Sequence, residues 1–156
     1  MKNKIFVGEF IGSALLVMAI VGSGIMAESL TNDTAVILLA NAVATGAALY
    51  FLIVSISDIS GAHFNPFVTL AMYLSKKIKS QLLPVYFTAQ ILGCLTGVML
   101  ANFFFDYSLI ELSSKSRSGI NVFVSEIIAT FGLIFIIFRT IKAVSYTHLR
   151  AHETRY

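Results

Sequence analysis

The sequence predicts an all-α membrane protein with four spanning helices and one half-length segment that enters the bilayer and returns. Three observations carry that reading. Hydrophobic residues fill 57% of the 156 positions and charged residues 12%, where a soluble domain carries about 25% charged. The mean hydropathy is correspondingly high, +0.85. Four stretches reach the roughly 20 residues that a helix needs to cross about 30 Å of hydrocarbon. A fifth, "SGAHFNPFVTLAMYL" from Ser60, is apolar enough for a membrane but too short to cross one.

The first span follows Lys2 and Lys4 and covers about Ile5–Met26. This run exceeds the apolar core of a secretory signal and reads as a helix that stays in the membrane. The second span is Ala35–Ser57, the third Leu82–Phe105 and the fourth Asn121–Ile141. Between the second and third, Phe64 to Leu74 would be only about 16 Å long as a helix. Asn65 is a good N-cap, and Pro66 suits the first helical position, where its missing N–H is not needed. The spacing therefore predicts a short helix from Pro66 to Leu74.

Basic residues set the orientation. Lys2 and Lys4 flank the first span, Lys76, Lys77 and Lys79 precede the third, and Arg139 and Lys142 close the fourth. The first loop carries Glu28 and Asp33 and no basic residue; the last has Lys115 and Arg117 against Asp106 and Glu111. Positive charge collects on the cytoplasmic side, so both termini are expected in the cytoplasm of a multi-pass protein of the cell membrane. The short segment must then enter from the cytoplasm and return to it. Non-helical backbone at that depth, residues 58–64, is tolerated only inside protein or beside a wet cavity. There its carbonyls could line a water path, while the positive helix end repels cations and protons. The residues alone leave open a loop lying on the cytoplasmic membrane surface.

Small residues mark packing faces. Gly8 and Gly12 form one GxxxG, Gly93 and Gly97 another, and the second span is rich in alanine. Close backbone approach is a main source of helix association in lipid. There is also an internal echo: "VGEFIGSALLVMAIV" from Val7 is similar to "VSEIIATFGLIFIIF" from Val124, with Glu9 aligned to Glu126. A pattern restarting after three spans runs inverted, as in many transporters.

Several function classes are excluded or unsupported. The net charge of +3 is spread over segment ends, with no basic face for nucleic acid. The single Cys94 permits no internal disulfide and reads as a small apolar residue. His148 and His152 are four apart, but no third ligand accompanies them and "HETRY" is not the zinc-protease motif. No metal or cofactor is expected. A membrane-embedded enzyme using His63 with Glu9 or Glu126 lacks any nucleophile, metal or phosphate motif.

The stretch Ser60-Gly-Ala-His-Phe-Asn-Pro-Phe-Val-Thr69 resembles the first signature loop of the aquaporin and glycerol-facilitator family, the major intrinsic proteins, whose pattern is SGAH-x-NPA-VT. Glu9, the "AQILG" at Ala89–Gly93 and Glu126 fit as well, and the resemblance covers about residues 4 to 142. It implies a right-handed helical bundle built as an inverted repeat, a passive channel for water or small neutral solutes, and a homotetramer for full-length relatives. It makes Asn65 a solute-binding residue and gives Gly61, Ala62 and His63 carbonyls along the pore. Thr45 falls at a position of the selectivity constriction that is usually bulky and aromatic, which would suit glycerol or metalloid acids. Glu9, Pro66, Gln90 and Glu126 would support the pore loops.

The sequence departs from the family pattern in three ways. Phe67 stands where the family has the alanine that packs between two half-helices. A fifth helix, a second Asn-Pro-Ala segment with its arginine and a sixth helix are not in the sequence. Residues 1–143 are therefore expected to be the N-terminal part of a channel, leaving Glu126 without the loop it would support, a costly position in lipid. The polar stretch 144–156, "VSYTHLRAHETRY", resembles translated sequencing-adapter sequence and is expected to be foreign. A non-conducting fragment, or a modulator of full-length channels, is the alternative reading.

Overall fold

In the computed structural model the chain divides into two compact units, Met1–Leu112 and Ser113–Tyr156. The structure describes residues 1–111 and 118–153, with side chains as far as 142. Lys115 and Arg117 lie outside the described residues, as do the side chains of residues 143–156, those of the two tail histidines included. The elements are α1 (Lys2–Leu30), α2 (Thr34–Ser60), α3 (Pro66–Leu74), a 3-10 turn (Ser80–Leu82), α4 (Leu83–Phe104) and α5 (Ile120–Glu153). The helices α1, α2 and α5, and α4 with its preceding turn, are each long and apolar enough to cross a membrane. The described residues thus form four long apolar helices and one short one, with no strand among them.

The ends of these helices have identifiable causes. Asp33 caps α2, its carboxylate accepting from Ala35 N at 2.8 Å and Val36 N at 3.3 Å. Gly61 ends α2 in the left-handed region, φ 92°, where glycine carries no Cβ penalty. Asn65 and Pro66 start α3 as the sequence predicts. The observed α1 is longer at both ends than the apolar run, because the flanking lysines and polar residues extend the helix beyond the hydrocarbon.

Within the first unit, α1 is the central element and packs against both α2 and α4. The two GxxxG motifs serve different partners. Gly93 and Gly97 of α4 admit the backbone of α1: a Cβ at either would collide with the carbonyl oxygen of Phe10 or Ala14. Gly8 and Gly12 of α1 instead receive the loop after α2, since a Cβ at Gly8 would stand 2.8 Å from Ser60 Cβ and one at Gly12 would overlap the Phe64 ring.

That contact fixes the depth of α3. Gly12 lies seven residues beyond Ile5, where the apolar run of α1 begins, about 10 Å along its axis, a third of a 30 Å hydrocarbon core. Phe64, against it, therefore sits well below the membrane surface. By Ile78 the chain has returned to the level of Ile5, where Ile78 packs on the buried cluster Ile5, Leu82 and Tyr86. The segment enters and leaves by the same end. Lys2, Lys4, Lys76, Lys77 and Lys79 gather at that end with Asp58, whereas Glu28, Asp33, Asp106 and Glu111 belong to the opposite one. α5 forms its own unit; Glu126 on it is exposed.

Candidate functional site

The site is built around Glu9, which is 0% exposed in the middle of an apolar bundle. A buried carboxylate is tolerated only when its lone pairs are filled. Here four donors fill them. Ser60 Oγ donates to Oε1 at 2.7 Å and His63 N at 3.0 Å; Phe64 N donates to Oε2 and Gln90 Nε2 to the same oxygen, each at 2.8 Å. Two of these donors are backbone amides of the loop between α2 and α3, whose N–H groups have no helix to satisfy them. Glu9 thus supplies the acceptors that an irregular backbone needs at membrane depth.

The loop needs such an anchor because it is strained. Ala62 and Phe64 have positive φ values of 50° and 49°, a region that non-glycine residues seldom occupy. Such backbone persists only where its surroundings over-determine it. Besides Glu9, Ser60 Oγ accepts from Ala62 N at 3.1 Å, and Phe64 is buried with Ile56 and Ala62. Tyr86 on α4 donates its hydroxyl to the Ser60 carbonyl and stacks on the His63 ring, with centroids 4.5 Å apart and planes 15° from parallel.

A second layer ties α3 to α4. Gln90 Nε2 also donates to Thr69 Oγ1 at 3.0 Å, the same oxygen lies 3.1 Å from His63 Nδ1, and the Thr69 hydroxyl donates to the Asn65 carbonyl at 3.1 Å. A hydroxyl has one proton and two lone pairs. With its proton on Asn65, Thr69 accepts from Gln90 and from Nδ1–H of His63, which leaves Nε2 as the unprotonated nitrogen of the neutral ring. Turning the Gln90 amide over would set oxygen against the Glu9 carboxylate, so Gln90 Oε1 stays without a partner among the described residues, as does Ser13 Oγ.

At the head of α3 the Asn65 carbonyl oxygen Oδ1 accepts from Phe67 N at 2.7 Å and Val68 N at 3.4 Å. The cap uses only the oxygen. The Nδ2 group donates to nothing among the described residues, and Asn65 is partly exposed. The site therefore presents a fixed amide donor, oriented by its own cap, at the positive end of a half-helix. Pro66 and Phe67 are exposed beside it, Phe67 at 63%.

The remaining residues singled out from the sequence are distributed as follows. Gly61 is exposed, whereas Ala62 and His63 are buried in the loop. Thr45 lies one turn after Asn41, whose amide donates to the Ile20 carbonyl at 2.7 Å across the α1–α2 seam. The Thr45 hydroxyl is buried without a partner among the described residues. Glu126 belongs to the second unit. Ser60, Thr69 and Tyr86 have roles that sequence reasoning did not assign. Ser60 and Thr69 bound the quoted motif, and Tyr86 shares the 86–90–93–97 stripe of α4, which was the available signal. Among the described residues no three His, Cys, Asp or Glu side chains gather to hold a metal ion.

Comparison with known proteins bears on this arrangement. Residues 2–150 match the family model described as Major intrinsic protein. The chain is 43% identical over 136 residues to the aquaglyceroporin AqpS of Rhizobium meliloti, covering 87% of this chain and 58% of that protein. It is 34% identical over 143 residues to the probable aquaporin TIP2-2 of Oryza sativa, covering 88% and 56%. It is also 34% identical over 140 residues to the aquaporin NIP3-1 of Arabidopsis thaliana, covering 84% and 43%. The chain thus spans about half the length of these curated relatives. With a family match across almost its whole length, this chain belongs to the major intrinsic protein family.

Proposed function

We propose that the chain contributes one half of a passive membrane channel for water and small neutral solutes, with Asn65 as its solute-binding donor. The observation that carries this is the division of labour at Asn65. Its oxygen is consumed by the cap, and its Nδ2 is left without a partner among the described residues, on a loop bonded to Glu9 and Tyr86. A free amide donor beside a positive helix end suits an uncharged oxygen and disfavours a cation. The family is one of channels, so the chain is not an enzyme.

The finer reading extends this. Gly61, Ala62 and His63 offer carbonyls along the path, Thr45 sets a wide constriction, and Pro66 and Gln90 support the loop. The similarity to an aquaglyceroporin favours glycerol-sized or metalloid-acid solutes. The lysine-rich end faces the cytoplasm of the cell membrane by the positive-inside rule. The conducting form is a homotetramer of complete pores, and Glu126 has the equivalent supporting role in the second repeat. The test is osmotic shrinkage of vesicles challenged with sucrose and then with glycerol. Glycerol entry that Thr45→Phe abolishes while water flow persists supports a wide filter at residue 45; unchanged glycerol entry refutes it.

A second reading is a non-conducting partner of longer relatives. It draws support from α2, whose most apolar stretch fully buries none of its residues and so leaves the side away from α1 open to another chain. Co-purification with a full-length relative, without any gain in permeability, favours it.

A further inference from the structure

We propose that Asn41 offers hydroxylated solutes a hydrogen-bond acceptor, its side-chain oxygen Oδ1, in the half of the path away from the lysine-rich end. Both hydrogens of the Asn41 amide are already used. Nδ2 donates to the Ile20 carbonyl at 2.7 Å and to Ser23 Oγ at 3.0 Å, across the α1–α2 seam. Turning the amide over would set its oxygen against the Ile20 carbonyl, so these bonds fix which atom is left over. Oδ1 accepts from nothing among the described residues. It is not sealed in, as the Thr45 hydroxyl one turn along is, and Asn41 is only partly buried.

Depth decides what Oδ1 meets. Ile20 lies fifteen residues beyond Ile5, about 22 Å along α1, still inside a hydrocarbon core of about 30 Å. An amide oxygen turned to lipid there would lose its hydrogen bonds to water without replacement. Polar side chains at such depth face the interior of a bundle or a water-filled cavity, and Oδ1 is open rather than interior. Comparison with Asn65 defines the ligand class. Asn65 spends its oxygen on the cap and keeps a donor, whereas Asn41 spends its donors on the seam and keeps an oxygen. The Asn41 bond to Ile20 stands about 12 Å beyond the Phe64–Gly12 contact, eight residues of α1. A solute with hydroxyl groups satisfies both in turn, since each hydroxyl donates and accepts. This role rests on the channel reading of the Asn65 loop.

The test uses vesicles holding the chain with the part of AqpS that it does not cover. In a Cys94→Ser background, Asn41→Cys and Val43→Cys are each treated with a charged, membrane-impermeant methanethiosulfonate on both sides of the membrane, and the mass of this chain is read. The reaction needs a thiolate, which forms in water and not in lipid. A gain of one label is expected on Asn41→Cys and none on Val43→Cys, whose parent side chain is exposed two residues further along α2. Asn41→Ala is expected to slow glycerol entry about fivefold relative to water, the worth of one hydrogen bond. Ser23→Ala loses a seam bond but keeps Oδ1, and is expected to change that ratio less than about twofold. An unlabelled Asn41→Cys overturns the proposal. So does equal labelling at Val43→Cys, or equal slowing by Ser23→Ala, which would make Asn41 a seam residue alone. Failure of the channel reading shows separately, as parent vesicles that pass no water, and takes the solute role of Asn41 with it.

Discussion

Gln90 donates from Nε2 to the Glu9 carboxylate at 2.8 Å, joining α4 to α1 at the point where both meet the loop before α3. Neither residue bonds to the Asn65 side chain, whose Nδ2 is the proposed solute donor. Their bond instead decides where that face stands. Because the Glu9 oxygens accept from four donors, the carboxylate is the position where a small chemical change disturbs the most structure.

Glu9→Gln keeps the size and replaces one acceptor oxygen by a donor. The new amide hydrogens face the N–H of Phe64 or His63, whichever oxygen is replaced. One unsatisfied buried donor costs about 1–3 kcal/mol, so with the accompanying repulsion the variant loses about 2–4 kcal/mol. Reversible unfolding in detergent, followed by circular dichroism, measures it.

Tyr86→Phe tests the outer tether separately. The ring still stacks on His63, but the hydroxyl bond to the Ser60 carbonyl is lost. A net cost of about 1 kcal/mol is expected, the ordinary worth of such a bond. The same unfolding assay applies, and a cost equal to that of Glu9→Gln would place the main anchor at Tyr86.

The glycines divide into tight and open ones. Gly97→Leu forces α4 away from the Ala14 carbonyl, and loss of the α1–α4 seam is expected, seen as aggregation or loss of the folded monomer on size-exclusion chromatography. On α2, a methyl group at Gly46 would meet nothing within 4 Å. Gly46→Ala is therefore expected to be neutral or stabilising by up to about 1 kcal/mol through helix propensity.

Substitution separates the observed cap at Asn65 from its proposed solute-binding role. Asn65→Ala removes the cap and is expected to cost about 1 kcal/mol of stability. Asn65→Asp keeps an oxygen for Phe67 N and Val68 N and is expected to unfold within about 0.5 kcal/mol of the parent, since aspartate caps as well as asparagine. Thermal unfolding of the two variants side by side decides the point.

Local chemistry made much of this fold legible in the sequence. α3 runs from Pro66 to Leu74 as its cap and proline require, and the lysines that bound it mark the end by which it enters and leaves. The spans were recognisable from length and hydropathy, though charged and polar ends hid the full extent of α1. Partnerships across the bundle were not legible. GxxxG spacing announces a close approach without naming what approaches, so the use of Gly8 and Gly12 by the loop, and of Gly93 and Gly97 by α1, appears only in three dimensions. Glu9 could be picked out by resemblance, but its donors lie 51 to 81 residues away. Tyr86 reads in sequence as one more aromatic residue in an apolar helix.

The central claim is that the Asn65 amide, held by the Glu9 network, is part of a solute path. The most direct measurement is the osmotic response of vesicles holding this chain, alone and together with the part of AqpS that it does not cover. The account predicts water and glycerol permeability above empty vesicles for the pair, and its loss with Asn65→Asp although that variant folds. Unchanged permeability with Asn65→Asp, or none above background for the well-folded pair, would contradict it.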